Sequence, residues 1–299
     1  MEINKFAPTG KISANHLVSL ASLSEDDVSE ILSRAREFSV SLSVGEKINK
    51  LKDKYVCLIS KNGFTRSRVA FETAVDKLSG KAIVCTVKGD ELEKLVNDNL
   101  SVAAMANYGV NAFVVQTDEP ADAELIEKKL DIPVVNANGV TGPCEALSAL
   151  YTIWNKKGSL DGLKIAMICD PKKHAENFVS AFSLCASELR FICPAEMMPD
   201  KEFMSGLSAN DVSVYFDVTE GVKGADVVFV SEDGLGEGFR LGEEEFSHAS
   251  QGALLLHVLP AKGDMIDEAL LSDKAFCGLD QAVSLKFIEM SVLSLVVKG

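Results

Sequence analysis

The sequence predicts an α/β fold: two doubly wound parallel-sheet domains joined by a connector helix. Three observations carry this. Nine short β-rich runs alternate with helical patterns along the chain. The runs are continuously apolar rather than alternating, as in parallel sheets covered by helices on both faces. The length of 299 residues suits two domains of ordinary size, and 47% hydrophobic residues are ample for two buried cores.

A helical pattern over 25–41 comes first. Strand 55–60, YVCLIS, leads through a glycine-bearing loop into a helix over 66–79. Strand 82–87 (AIVCTV), helix 90–108, strand 112–117 (AFVVQT), helix 120–129 and the short strand 133–136 (PVVN) follow. The connector helix, 143–156, starts with Pro143, which a first helical turn tolerates because its missing N–H would have no partner there. The connector runs into the polar, glycine-bearing stretch KKGSLDGLK. Five strands come after it: 164–169 (KIAMIC), 188–193 (ELRFIC), 212–217 (VSVYFD), 226–231 (DVVFVS) and 253–259 (ALLLHVL). A helical pattern over 174–186 separates the first two, and another over 281–297 closes the chain. The expected domains are 1–141 and 142–280.

The net charge is -14, with no basic tail or stripe. Phosphate-backbone contacts need clustered Lys and Arg, so no nucleic acid is expected as a partner, and no membrane surface either. No apolar run nears the roughly 18 residues of a membrane span. The opening MEINKFAPTG lacks the charged-then-apolar pattern of a secretory signal. The seven cysteines are scattered, none in a C-x-x-C pair, and five lie in apolar runs where a thiol packs as a small hydrophobe. A cytoplasmic location without disulfides or structural zinc is expected. No His/Cys/Asp group has ligand spacing, so no metal is expected. GLGEG at 234–238 lacks the strand-to-helix frame of a dinucleotide loop, so no cofactor is expected.

One stretch carries chemistry: KNGFTRSRVAFETA, residues 61–74. Parallel sheets bind ligands at the carboxyl ends of their strands. Residues 65–68 stand at a helix front, where free N–H groups and the dipole attract an anion. Thr65 and Ser67 offer hydroxyls, and Arg66 and Arg68 offer bidentate guanidinium donors. The same residues also read as a helix cap with solvated arginines. Phe64, bulky and apolar, stands at the mouth of the loop.

From Phe64 to Glu72 the order Phe-Thr-Arg-Ser-Arg-Val-Ala-Phe-Glu resembles the Ser-Thr-Arg-Thr-Arg and Ser-Phe-Glu signature of the aspartate and ornithine carbamoyltransferases. KGDELEKLVNDNLSVAAMANYGVNAFVVQ, IPVVNANGVTGPCEALSALYTI, LDGLKIAMICD and LLLHVLPA resemble further family segments, in the same order and over nearly the whole chain. The resemblance implies that Thr65, Arg66, Ser67 and Arg68 bind the phosphate of carbamoyl phosphate, with Arg66 also stabilising it as it leaves. It implies that His257, Leu259 and Pro260 form the loop that orients the second substrate, an amino acid. It implies chemistry by positioning and electrostatics, without a covalent enzyme intermediate. It implies too that the last helix returns to the first domain, so that 281–299 joins 1–141, and that the protein forms a homotrimer or assembles with a paralogous subunit.

Matched position by position, the sequence departs from that family at four pocket positions. Phe64 stands for a serine, Gln116 for an arginine, Gly142 for a histidine and Glu145 for an amide. The loop that bears a lysine in the family is nearly deleted, leaving Lys88 directly after strand 82–87. On the amino-acid side, Ala175, Glu232 and Gly234 fall where the aspartate enzymes carry arginine or glutamine. A hydrogen bond to a charged group contributes roughly 1.5–3 kcal/mol. Losing three from one dianion site costs on the order of 4–8 kcal/mol, or about three to six decades of affinity.

Two readings of function stand side by side. One is a carbamoyltransferase with altered substrates, in which Arg66 and Arg68 grip an anion and His257 lies near the amine. The other is a catalytically inactive paralogue that keeps the fold and subunit interfaces and serves as an assembly partner or binder of a small-molecule anion. Other residues read as structural. Glu72 is expected to pair with Arg68 at i, i+4 spacing, and His174 to be solvated in a polar loop. Trp154 is expected to pack in the connector helix, and Glu243, Glu244 and Glu245 to form a solvated helix face.

Overall fold

The computed structural model of the chain describes residues 1–61, 66–88, 91–117, 121–128, 131–138, 142–231, 234–236, 238–257, 259 and 265–297. Contacts divide the chain into two units, Phe6–Leu147 with Leu285–Gly299, and Met1–Lys5 with Ser148–Ser284. The division falls inside the connector helix and inside the last helix, so each of these helices contributes a part to both units.

The first unit is built on β1 (Tyr55–Lys61), β2 (Lys81–Val87), β3 (Val110–Gln116) and β4 (Val134–Asn136). They pair in parallel in the order β2-β1-β3-β4. Along β1, Cys57 and Ile59 face one core with Phe113 and Val115 of β3. The intervening Val56, Leu58, Ala112 and Val114 are buried as well. Both faces of the central strands are therefore covered, which is why consecutive positions are apolar. β2 is the exposed edge, with Ile83 40% accessible.

The helices of this unit are α1 (Glu25–Ser43), α2 (Arg66–Lys77), α3 (Glu91–Asn97), α4 (Asn99–Asn107), α5 (Ala121–Glu127), the first residues of α6 (Pro143–Lys157) and, from Leu285 on, the last helix of the chain. The pattern over 90–108 is two helices rather than one, because Asp98 caps α4 by accepting the Leu100 N–H at 3.1 Å. α1 opens on a capping box between Ser24 and Asp27. Asp27 also accepts the Ser13 N–H at 2.7 Å and the Ser13 hydroxyl at 2.6 Å. Glu30, fully buried one turn on, accepts the N–H groups of Thr9 and Gly10 at 2.6 and 3.0 Å. Two carboxylates thus hold the segment before α1 onto the helix.

The second unit carries β5 (Leu163–Ile168), β6 (Ala186–Ile192), β7 (Asp211–Tyr215), β8 (Val227–Val230) and β9 (Leu254–His257), parallel in the order β7-β6-β5-β8-β9. The expected helix over 174–186 is instead one π-helical turn, Ala175–Val179, running into the short α7 (Ser180–Ser183), and the chain is already in β6 by Ala186. The segment packs through aromatic rings. Phe178 stacks on Phe229 with centroids 4.6 Å apart, and Phe182 meets Phe229 edge-on at 5.6 Å. Three short helices, α8 (Lys201–Ser205), α9 (Val218–Val222) and α10 (Glu243–Phe246), are followed by α11 (Glu268–Leu271) and the long α12 (Gly278–Val296).

Trp154 is buried in α6 and donates to Asn4 Oδ1 at 3.1 Å. All seven cysteines are free. Among the described residues no helix is long and apolar enough to cross a membrane.

Burial pushes the Asp27 carboxyl up, but hydrogen bonds from the hydroxyls and N–H groups of Ser13 and Ser24 outweigh it and hold the group below its ordinary value. Such a group adds stability above its unfolded value, about pH 4, and the contribution is lost as pH falls through the folded value. Asp27→Asn is expected to cost about 1–2 kcal/mol near neutrality in urea unfolding. The gap from wild type should close as the pH drops below about 4, and a gap that stays constant would exclude this role.

Candidate functional site

In the four-stranded sheet the chain starts at β1, steps to β2 on one side, then crosses to β3 on the other. Crossovers that diverge in this way leave a crevice at the carboxyl ends of the two strands. Ser60 and Gln116 lie in register at those ends. The front of α2 meets them there, around a cavity of about 10 Å³, room for one water. Ser60, Ser67, Arg68, Gln116 and Ala137 line it. The Ser60 hydroxyl is buried without a hydrogen-bond partner among the described residues. Ser67 is buried too, and its hydroxyl donates to the Ala137 carbonyl at 3.2 Å, tying α2 to the segment after β4.

That segment is built on asparagine side chains. Asn136 Oδ1 accepts the Asn138 N–H at 2.9 Å, and Asn138 Oδ1 accepts the Thr117 N–H at 2.6 Å. Asn136 Nδ2 donates to the Val18 carbonyl at 3.0 Å. At Gly142 a Cβ would fall 1.8 Å from the Asn138 carbonyl oxygen, so this backbone admits no side chain there. Phe64 and Thr65, both expected at the mouth of the site, lie outside the described residues.

Both arginines meet carboxylates. Arg68 Nε donates to Glu72 Oε1 at 2.6 Å, the expected i, i+4 pair. That pair is well exposed on both sides, so solvent screening leaves it little weight. Arg66 Nη2 donates to Glu145 Oε1 at 3.2 Å, and here the Glu145 side chain is only 7% accessible. The Nε of Arg66 is buried and has no partner among the described residues. Behind Glu145 stands Glu289 of α12, fully buried, with neither carboxyl oxygen hydrogen-bonded among the described residues. Burial, and then the charge of Glu145, push the Glu289 carboxyl well above its ordinary range, so it is held neutral. Burial, then Glu289 and Glu145, push the Cys144 thiol up in the same way.

The five-stranded sheet has its own switch point, between β5 and β8. Beyond it the Ser231 N–H donates to the Ile168 carbonyl at 2.9 Å. His257 ends β9 beside Val230, fully buried, with Nδ1 2.7 Å from the Val230 carbonyl oxygen. A carbonyl has no proton to give, so Nδ1 carries one.

His174 and Asn177 follow the carboxyl end of β5 and are buried. The expectation that His174 is solvated is therefore corrected. The π-helical turn brings Phe178 against it, and its ring lies edge-on to Phe178 and Phe229 at 6.1 and 6.2 Å. Sequence reasoning assigned no role to His174, Asn177 or Ser231. The signal available was their place at or just beyond the ends of two apolar strand runs. Leu259 is half-buried two residues after His257, and Pro260 lies outside the described residues.

Residues 15–155 match the family model described as aspartate/ornithine carbamoyltransferase, carbamoyl-P binding domain. The chain is similar to the aspartate/ornithine carbamoyltransferases along nearly its whole length. It is 27% identical over 297 residues to an ornithine carbamoyltransferase of Desulfotalea psychrophila, covering 93% of this chain and 98% of the relative. The ornithine carbamoyltransferase from Pyrococcus furiosus shares the fold with a TM-score of 0.82 at 22% identity, over 95% of this chain and 97% of that one. An aspartate transcarbamoylase from Trypanosoma cruzi, solved with carbamoyl aspartate and phosphate, shares it with a TM-score of 0.83 at 17% identity, over 99% and 100%. The chain thus has the two-sheet α/β architecture of those proteins.

The His257 geometry has a spectroscopic consequence. In the neutral protein the ¹⁵N shifts of this imidazole are expected to report the Nδ1–H tautomer, and the Nε2–H pattern would contradict the bond to Val230.

Proposed function

We propose that this protein transfers a carbamoyl group from carbamoyl phosphate to the amine of an amino acid of the ornithine or aspartate type, through a strongly altered site. The observation that carries the reading is Arg66. It stands at the first turn of α2, with its buried Nε still lacking an acceptor among the described residues. The helix-front N–H groups, that of Ser67 among them, and Arg68 complete the oxyanion cradle in this reading, with Thr65, outside the described residues, as the further donor expected from the sequence. In this reading His257 lies near the amine of the second substrate, which must give up a proton before it attacks. The carbon–nitrogen bond forms, the carbon–oxygen bond to phosphate breaks, and the phosphate leaves on Arg66.

A second reading, a catalytically inactive paralogue that binds a small anion, draws support from the Arg66–Glu145 and Arg68–Glu72 pairs, which leave both guanidinium groups partly neutralised. In either case the protein acts in the cytoplasm as a homotrimer or with a paralogous subunit. The exposed edge strand β2 and the exposed Tyr108 fit such an assembly, which light scattering on the purified chain tests.

The deciding assay is ureido-product formation from carbamoyl phosphate with ornithine, aspartate and other amines. Turnover is expected, and Arg66→Ala is expected to lower kcat/KM by about a hundredfold or more. Thermal stabilisation by phosphate or a bisubstrate phosphonate without product from any amine would select the second reading. No stabilisation by any of these anions would remove both.

A further inference from the structure

The front of α2 attracts an anion by charge, but the hydroxyls beside it impose a second condition. Ser67 is buried, and its hydroxyl donates to the Ala137 carbonyl at 3.2 Å. That carbonyl has no other donor among the described residues. A hydroxyl has one hydrogen, so toward the cavity that it lines Ser67 presents lone pairs only. Ser60, which also lines it, is 3% exposed, and its hydroxyl has no partner among the described residues. Gln116, in register with Ser60, and Arg68 complete the polar lining. The Arg68 guanidinium can only donate. The cavity, about 10 Å³, has room for one oxygen atom and its hydrogen. Apolar side chains, Phe71 and Val114 among them, form the rest of its wall, so its polar groups must be matched by whatever occupies it.

An oxygen in this place meets one group that only accepts and another that only donates. A hydroxyl suits both, giving its hydrogen to Ser67 and accepting from Arg68 or Ser60. A bare oxyanion oxygen does not. It faces the Ser67 lone pairs unless that hydroxyl turns toward it, and turning leaves the buried Ala137 carbonyl without its hydrogen bond.

We propose that this cavity is a one-oxygen subsite of the anion site, and that Ser67 and Ser60 make it specific for an oxyanion that bears a proton. The ligand class is the hydrogen phosphates and hydrogen phosphonates. Their P–OH group enters the cavity, and their remaining oxygens face the helix-front N–H groups and Arg66. The proposal rests on the reading of Arg66 and the front of α2 as the anion site.

Phosphate and sulfate separate the proton from the charge. At about pH 8.5 both are dianions of nearly the same size, and only phosphate keeps a proton. Calorimetric titration of the full chain with each ion needs no variant. Wild type is expected to bind phosphate about tenfold or more tightly than sulfate. Ser67→Ala removes the acceptor and is expected to bring that ratio down to about threefold or less. Ser60→Ala is expected to weaken phosphate binding more than sulfate binding. Thermal unfolding shows which variants are folded, and either one alone suffices for the comparison.

Equal affinities in wild type overturn the proposal and leave the anion site standing. A phosphate preference that persists undiminished in either folded variant does the same. If neither ion binds wild type, or Arg66→Ala binds both as well as wild type does, the anion-site reading falls and the proposal with it.

Discussion

Parallel pairing sends the carboxyl end of every strand to the same edge of its sheet, and the chemistry of this chain is organised by that constraint. In each unit the chain starts from a central strand and fills the sheet first on one side and then on the other. The loops that leave the two strands at the switch point must therefore part, and polar residues gather where they do. Ser60, Gln116 and the front of α2 meet at one such point, and Ser231, His257 and the segment carrying His174 gather at the other. The apolar strands earn their continuity by being covered on both faces, so the polar groups are confined to the strand ends.

Within that frame, the two arginines at the front of α2 are matched by nearby carboxylates, one exposed and one buried. The buried pair matters more, because a charge removed from water costs several kcal/mol unless it is matched. Glu289 meets the same constraint by the other available route, staying neutral. The arrangement fixes the resting charge of the site through residues from three helices rather than through the arginine-bearing loop alone.

How much of this was legible in the sequence differs from element to element. All nine strands were, since a strand buried on both faces leaves an uninterrupted apolar run that no surface helix mimics. The short α8 and α9 were not, because five residues carry no helical period. Their only marks are the caps, Asp200 accepting the Phe203 N–H at 2.8 Å and Asp217 accepting the Glu220 N–H at 2.9 Å. Asp98 had the same kind of signal and was read through as helix interior. The Arg68–Glu72 pair was legible because its partners are four apart on one helix. The Arg66–Glu145 pair joins residues 79 apart, and no local pattern announces it. His174 looked solvated because its sequence neighbours are lysines, whereas its spatial neighbours are phenylalanines.

Gly142 carries a consequence of another kind. A β-carbon there would collide with main chain, at the Asn138 carbonyl, rather than with a side chain free to swing away. Asn138 is itself pinned by hydrogen bonds to Asn136 and Thr117. Any side chain at position 142, an imidazole included, therefore demands a shift of main chain rather than a new rotamer, and an engineer who wants a functional group here must bring it in from a neighbouring position.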